Sequence, residues 1–304
     1  MISLRFSVVI CTYNRANYLL KTLESLVPQK FSSEKFEIII VDNNSSDSTE
    51  EVCNQFINQN KNLTVRYFKE MQQGISFGRN CGVNEANGEF IAFIDDDETV
   101  NSDYLQNLDD FFQNYTDAEL CAGPVVPVFE TSQPQWLSPF SMRLITGAYD
   151  KGQKIKIVGP KDYPGTGHAT FKRDLFLKYG EFKTNLGRSG NSLMGGEDKD
   201  FFLRLIENKV KCYYLPSAII YHHIPDSKLT EDFFNRLTYA IGKSEHIRTL
   251  SISKSAYYKR IFSEIIKWGA TVLLFFYYSV SFRFAKGKKL VLFRYNVTKG
   301  LLGK

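Results

Sequence analysis

Short runs of β-branched and other apolar residues alternate along the first hundred positions with stretches in which apolar residues recur every three or four places. RFSVVICTYN, KFEIIIVDNN, NLTVRYFKE and EFIAFIDDD are of the first kind; NYLLKTLESL, DSTEEVCNQFI and SFGRNCGVNEA lie between them and are of the second. Strand-length and helix-length segments in this rhythm predict βαβ units, and so a mostly parallel sheet with helices on both faces. Polar residues collect where the strands end, at 12–14, 42–46 and 95–97. In open α/β sheets ligands bind beyond the carboxyl ends of strands, so all three clusters fall where a crevice is expected.

Residues 101–165 are less regular. They carry prolines at 124, 127, 134, 139, 160 and 164 and read as a helix followed by long loops and isolated strands. Regularity returns at Arg173, with RDLFLKYG and EDKDFFLRLIENK as helices and VKCYYLPSAIIYHH as one bent strand or two short ones broken near Pro216. Beyond Asp226 the pattern is helical, and no internal repeat or low-complexity segment appears. Trp136, in SQPQWLSP, reads as a loop anchor or as a platform for a sugar.

With 304 residues, 43% of them apolar, the chain can bury a real core, which argues against disorder. Cys11, Cys53, Cys81, Cys121 and Cys212 are scattered, without CxxC or Cys/His metal spacing. They are expected to be reduced, mostly buried thiols of a cytosolic protein. The apolar run in MISLRFSVVICTYN ends in polar residues with no small-residue cleavage site, so it reads as the first core strand and not as a secretory signal.

FIAFIDDDETV sets Asp95, Asp96 and Asp97 directly after a buried strand, where each disfavours ionisation of the next. Capping a helix near Ser102 would use one carboxylate, and the strand supplies three. Mg²⁺ and Mn²⁺ take one or two carboxylates together with phosphate oxygens and water, a need that a D-x-D pattern at a strand end meets. A divalent cation would then offset the repulsion. His222 and His223 follow SAIIY at another strand end; such pairs are usually structural, but one imidazole could complete the coordination begun at Asp97.

Three more stretches carry candidate chemistry beside an ordinary structural use. In VDNNSSDST, Ser46 or Asp47 can cap the next helix, or Asp42 can accept a hydrogen bond from the imide N–H of a uracil or thymine base. QQGISFGRNCGV puts glycines ahead of a helix and Arg79 in its first turns. This is either a glycine loop with a solvated arginine, or a helix N-terminus and guanidinium facing a diphosphate or sugar. Its spacing is neither Walker nor Rossmann. In SLMGGEDKDFFLRL, Glu197 and Asp198 can simply meet the dipole of the helix they open. The two glycines nevertheless permit close approach of a ligand, and a carboxylate there could take a proton from a sugar hydroxyl. Asp200 reads as an exposed helix residue.

Taken in order, SVVICTYNRANYL, EIIIVDNNSSDST, QGISFGRN, FIAFIDDDE, GGEDKDFFLRL and YLPSAIIYHH resemble the GT-A-fold inverting glycosyltransferases of family 2, over roughly residues 4–225. The resemblance implies an α/β fold, with a Rossmann-like, mostly parallel sheet flanked by helices; in this chain a basic amphipathic helical tail follows it. It implies a nucleotide-sugar-binding half at 1–100 and an acceptor-binding half at 101–225; residues 226–304, beyond the resemblance, read as a helical, membrane-associating region. By the same resemblance Asp42 contacts the base, and Thr12, Tyr13, Asn14 and Asp96 line the nucleotide-sugar site. Asp95 lies near the ribose or diphosphate, and Arg79 near the diphosphate-sugar. Asp97 binds Mn²⁺ or Mg²⁺, with His222 the better placed of the two histidines; Asp198 is the catalytic base, with Glu197 as the other candidate. The donor is a nucleoside-diphosphate sugar, UDP being the commonest in the family, and the acceptor a hydroxyl of a polysaccharide, glycolipid or lipid-linked oligosaccharide.

Two departures stand out. VDNNSSD replaces the commoner VDDGSTD, leaving Asp42 intact, and GTGHATF carries His168 where many members show Asn. A sugar nucleotidyltransferase would need a Gly-rich basic loop near the first strand, and CTYNRANYL is not one. An inactive, membrane-bound carbohydrate-binding scaffold has no need of an acidic residue poised as a base.

The formal charge of +5 hides an asymmetry. Residues 241–304 hold thirteen Lys or Arg and two Glu, a net of +11, which leaves −6 for the first 240. A basic tail on an acidic body points to an anionic partner for the tail alone. Fifteen uncharged residues, WGATVLLFFYYSVSF, lie between Lys267 and Arg283. As a helix they span about 22 Å, against a hydrocarbon core of roughly 30 Å. A helix lying in the interface of a leaflet with anionic lipid fits that length; a spanning segment with snorkelling ends or local thinning, a buried helix or a homodimer contact are the other uses. The basic residues interleave with Leu, Phe, Val and Trp, which suits lipid and not nucleic acid. Attachment at the cytoplasmic side of the cell membrane would favour a lipid-borne acceptor.

Overall fold

The computed structural model describes residues 4–190 and 192–304. Strands and helices alternate as the pattern predicts: β1 (Phe6–Thr12), α1 (Ala16–Leu26), β2 (Phe36–Asp42), α2 (Thr49–Gln59), β3 (Thr64–Lys69), α3 (Ile75–Glu85) and β4 (Phe90–Phe93). Every residue of β2, FEIIIVD, is buried, because β1 and β3 pair with it in parallel on either side and helices cover both faces. The alternation of side chains divides the core accordingly. Val8, Ile10, Ile38 and Ile40 pack with Leu19 and Leu23 of α1, whereas Val9, Ile39 and Val41 pack with Val83 of α3.

The irregular middle contains β5 (Glu98–Val100), α4 (Tyr104–Asn114), β6 (Leu120–Ala122), β7 (Val125–Phe129), α5 (Pro139–Thr146) and β8 (Lys156–Val158). Then follow β9 (Ala169–Lys172), α6 (Asp174–Tyr179), α7 (Glu197–Glu207), β10 (Cys212–Tyr214) and β11 (Ile220–Ile224). VKCYYLPSAIIYHH is therefore two short strands, and they belong to different sheets. The large sheet runs in the order β3, β2, β1, β4, β9, β6, β10, β8; the small one is β5, β11, β7. Pairing is parallel from β3 to β4 and antiparallel on both sides of β9. Thr12 and Asp42 are register partners at the ends of β1 and β2. β4, parallel to β1, ends just before the acidic triplet, so the three polar clusters share one sheet edge.

The chain divides into two units. The first comprises the stretches through Val128, Tyr149–Thr184 and Glu197–His223, and it holds the large sheet and every candidate site residue. The second gathers Phe129–Ala148, Asn185–Gly196 and Ile224–Lys304. Two segments from the middle of the sequence thus belong with the C-terminal helices α8 (Glu231–Ile252), α9 (Lys254–Val280) and α10 (Phe284–Leu301).

In the second unit Leu137 and Ile145 form a core with Phe234 and Leu237, against which Leu292 and Phe293 pack. Trp136 is an anchor here, its ring edge-on to Phe234 at 5.5 Å with Lys289 Nζ 5.2 Å from its centre. Gly242 and Gly300 let α8 and α10 touch at backbone level. A Cβ on Gly242 would lie 2.1 Å from the Val297 carbonyl oxygen, and one on Gly300 2.2 Å from that of Tyr239. A buried ion network ties in α9. Glu245 accepts from Arg248 and Arg260, and Glu264 from Arg260 at 2.6 Å and Arg294 at 2.8 Å. Removing one partner would strand a buried charge, at a cost of about 3–5 kcal/mol.

Candidate active site

β1 runs into the first polar cluster. Thr12 Oγ1 donates to Asp96 at 2.8 Å. Asn14, at a φ of 52°, accepts from the Ser46 N–H at 2.7 Å and so ties the loop after β1 to the loop after β2. Tyr13, between them, is exposed. Asp42 is fully buried, and its oxygens accept from the Ser45 N–H and the Tyr67 hydroxyl, each at 2.8 Å. Burial pushes that phenol up, and Asp42 adds to the shift. Asp42 holds the loop from beneath, and a base meeting it would share a carboxylate that already serves two protein donors.

Two arginines divide the acidic triplet. Arg15, at the N-cap of α1, donates Nη1 to Asp96 and Nη2 to Asp97, each at 2.7 Å. Arg79, in the first turns of α3, brings Nη2 to 3.4 Å from Asp95. Guanidiniums thus offset the three adjacent carboxylates, a contribution the sequence did not announce. Burial pushes the Asp96 carboxyl up to about 6, against the opposing charge of Arg15 and with repulsion from Asp97. Asp95 differs from its neighbours, for its side chain is 45% exposed and open to a ligand.

Arg79 itself is buried, with its guanidinium over the Phe182 ring. Its Nη1 donates to Asp198 at 2.8 Å and to Glu197 at 3.1 Å. Thr166 Oγ1 donates to the same oxygen of Asp198 at 2.5 Å. Glu197 and Asp198, in the first turn of α7, thus join Asp95 around one cation. Their access differs: the Glu197 side chain is 8% exposed and that of Asp198 27%. Behind Thr166, His168 Nε2 accepts from the Gly165 N–H at 3.2 Å. Gly167 approaches the triplet so closely that a Cβ there would lie 2.5 Å from the Asp95 carboxylate. Asp200, read from sequence as exposed, is half-buried and pairs with Lys183 at 2.7 Å and Arg204 at 3.2 Å.

The two histidines separate. His222 Nε2 lies 3.3 Å from Asp97, whereas His223 Nε2 lies 3.0 Å from the Thr99 hydroxyl. Among the described residues no group of three or more His, Cys, Asp or Glu is arranged to hold a metal. Asp97 and His222 offer one carboxylate and one imidazole. Mg²⁺ keeps phosphate oxygens and water among its ligands, and Mn²⁺ tolerates imidazole, so this donor set fits a cation that arrives with a diphosphate.

Arg15 and Thr166 join the site without a sequence signal of their own. Arg15 stands inside CTYNRANYL and Thr166 inside GTGHATF, and their carboxylate partners are 81 and 32 residues away. A polar residue in a loop bordering a core strand is the only hint either gives.

Residues 7–180 match the family described as Glycosyl transferase family 2, more than half of the chain. Among curated proteins, the glucosyl-dolichyl phosphate glucuronosyltransferase of Haloferax volcanii is 27% identical over 264 residues, covering 84% of this chain and 82% of the relative. The succinoglycan biosynthesis protein ExoM of Rhizobium meliloti is 27% identical over 251 residues, covering 82% and 76%. Among solved structures, Staphylococcus aureus TarS 1-349 in complex with UDP-GlcNAc gives a TM-score of 0.59 at 19% identity, over 99% of this chain and 93% of that one. The mannosyltransferase PcManGT from Pyrobaculum calidifontis, in complex with GDP-Man and Mn²⁺, gives 0.62 at 16% identity, over 99% and 88%. At such identities the structures speak for the fold alone, which is the mixed α/β GT-A arrangement. The matched span runs from β1 to α6 and takes in the loops after β1 and β2, Arg79 and the acidic triplet; the chain belongs to glycosyl transferase family 2.

Proposed function

We propose that the protein moves a sugar from a nucleoside-diphosphate sugar to a hydroxyl of a polysaccharide, glycolipid or lipid-linked saccharide, inverting the anomeric carbon, with Asp198 as general base. The observation that carries this reading is the sharing of Arg79 between Asp198 and Asp95, which joins a base for the acceptor to a residue expected on the donor side. Arg79 and Thr166 both donate to Asp198 Oδ1, so Oδ2 faces the task of accepting the proton of the attacking hydroxyl. A single displacement at the anomeric carbon inverts it without a covalent glycosyl-enzyme. Thr12 and Arg15 keep Asp96 and Asp97 in place while the donor binds. Asp97 and His222 would hold Mn²⁺ or Mg²⁺, which when bound offsets charge on the departing nucleoside diphosphate.

The solved neighbours hold UDP-GlcNAc and GDP-Man, which supports a nucleotide-sugar donor. The Haloferax relative is named for glucosyl-dolichyl phosphate and ExoM for succinoglycan biosynthesis, and both support a saccharide acceptor. We further place the enzyme on the cytoplasmic side of a membrane through α9, the one helix among the described residues that is long and apolar enough to cross a bilayer.

Nucleoside-diphosphate release from a panel of nucleotide sugars, with product stereochemistry read by NMR, tests the reading. One donor should be consumed, its linkage inverted, and Asp198→Asn should lose about 10²–10⁴ in transfer rate while still binding donor. Near-normal transfer by Asp198→Asn would remove Asp198 from the role of base, and a retained linkage would overturn the single displacement.

A further inference from the structure

Membrane attachment through α9 leaves open how the helix meets the bilayer, and the second unit carries an answer. α9 has 27 residues, about 40 Å of helix, so its length would permit a crossing. Its surroundings decide otherwise. One face is exposed and apolar from Phe262 to Val280, with Phe262, Ile266, Leu273, Phe276 and Val280 all more than half open. These residues follow the helical repeat, so they form a single stripe. The opposite face is committed to protein. Trp268 Nε1 donates to Thr298 Oγ1 at 2.9 Å, Glu264 is bound to Arg294, and Gly287 comes close enough to Phe275 that a Cβ would sit 3.1 Å from the ring.

All three of those contacts are to α10, which carries Lys286, Lys288, Lys289, Arg294 and Lys299 and is itself fastened to α8 through Gly242 and Gly300. A spanning α9 would have to drag this cationic helix into hydrocarbon, or tear away from it, breaking the Glu264–Arg294 pair and carrying the remaining Glu264–Arg260 pair into lipid. Lying along the surface requires neither. Lys254, Lys259 and Lys267 on α9, and Arg283 and Lys288 beyond it, are exposed, a charge complement for anionic headgroups around an apolar stripe. The same cations would oppose one another if two copies met stripe to stripe.

We propose that α9 lies in the plane of an anionic bilayer, its stripe from Phe262 to Val280 sunk to the headgroup boundary and its other face holding α10 out of the lipid. This rests on the membrane attachment proposed above. The test uses the full chain carrying a single fluorescent or nitroxide label at Phe262→Cys, Leu273→Cys or Val280→Cys. Binding is measured to phosphatidylcholine vesicles with and without phosphatidylglycerol, and label depth by lipid-borne quenchers. All three labels should report the same shallow depth, and binding should need the anionic lipid and weaken with salt. Leu273→Glu with Phe276→Glu, both exposed and so neutral to the fold, should weaken binding roughly tenfold or more. A gradient of depth from one end of the helix to the other would overturn the in-plane placement while keeping attachment. Absence of vesicle binding by a folded protein, or labels protected in a soluble dimer, would overturn both.

Discussion

Arg15 presents one guanidinium nitrogen to Asp96 and the other to Asp97, both at 2.7 Å. The pair of carboxylates is nearly buried, so this fork offsets the repulsion between them.

Arg15→Ala should therefore destabilise the first unit by about 3 kcal/mol, since it leaves two buried carboxylates without a cation. Millimolar Mn²⁺ should restore part of that loss, because Asp97 is also a metal candidate. Thermal unfolding with and without Mn²⁺ reads both effects. Arg15→Lys should fall between, a point charge being unable to fork. Equal melting of Arg15→Ala and the parent protein would show the fork to be dispensable.

Thr166 and Arg79 hold the same oxygen of Asp198, so their loss should act through that carboxylate. Asp198→Asn should lower kcat by about 10²–10⁴. Thr166→Val, which keeps shape and removes the donor, should cost roughly tenfold in kcat with little change in donor affinity. A Thr166→Val effect on donor KM alone would instead assign Thr166 to the donor side.

Cation binding separates the two histidines. Calorimetric Mn²⁺ titration in the presence of nucleoside diphosphate should show His222→Ala and Asp97→Ala binding at least about tenfold more weakly, and His223→Ala binding as the parent does. Chelation of divalent ions should stop transfer reversibly. Weakening by His223→Ala, with His222→Ala unaffected, would exchange their roles.

Gly167→Ala forces Asp95 to move, because the new Cβ would overlap its carboxylate. The Asp95 side chain is open enough to swing aside, so the fold should persist while its contact with Arg79 is lost. The expected result is a raised donor KM at an unchanged melting temperature.

Much of this was legible in the chain. Asp42 and the triplet at 95–97 announce themselves because the apolar runs at 38–41 and 90–94 each stop at a carboxylate, and βαβ order places those stops on one edge. Glu197 and Asp198 are visible as acids opening a helix after two glycines. Arg15 and Thr166 are not, since a residue whose role is set by a partner across the fold leaves no local period or composition. Asp200 misleads for the same reason: its helix position says solvent, and Lys183 and Arg204 say otherwise. In the tail the helices are plain from sequence, whereas the pairing of α9 with α10 follows from glycine contacts and ion pairs that hydropathy does not encode.

The core that joins Leu137 and Ile145 to Phe234 and Leu237 bears on how the protein can be handled. A C-terminal region that shares its interior with residues from the middle of the chain is not an appendage. Cutting at residue 255 would take away Leu292 and Phe293 and bare the Gly242 face of α8, and the shortened protein would sediment as aggregate whatever its affinity for lipid. A soluble form for crystals or assays is better sought by recolouring the stripe of α9 with charge, one exposed position at a time, on an uncut chain.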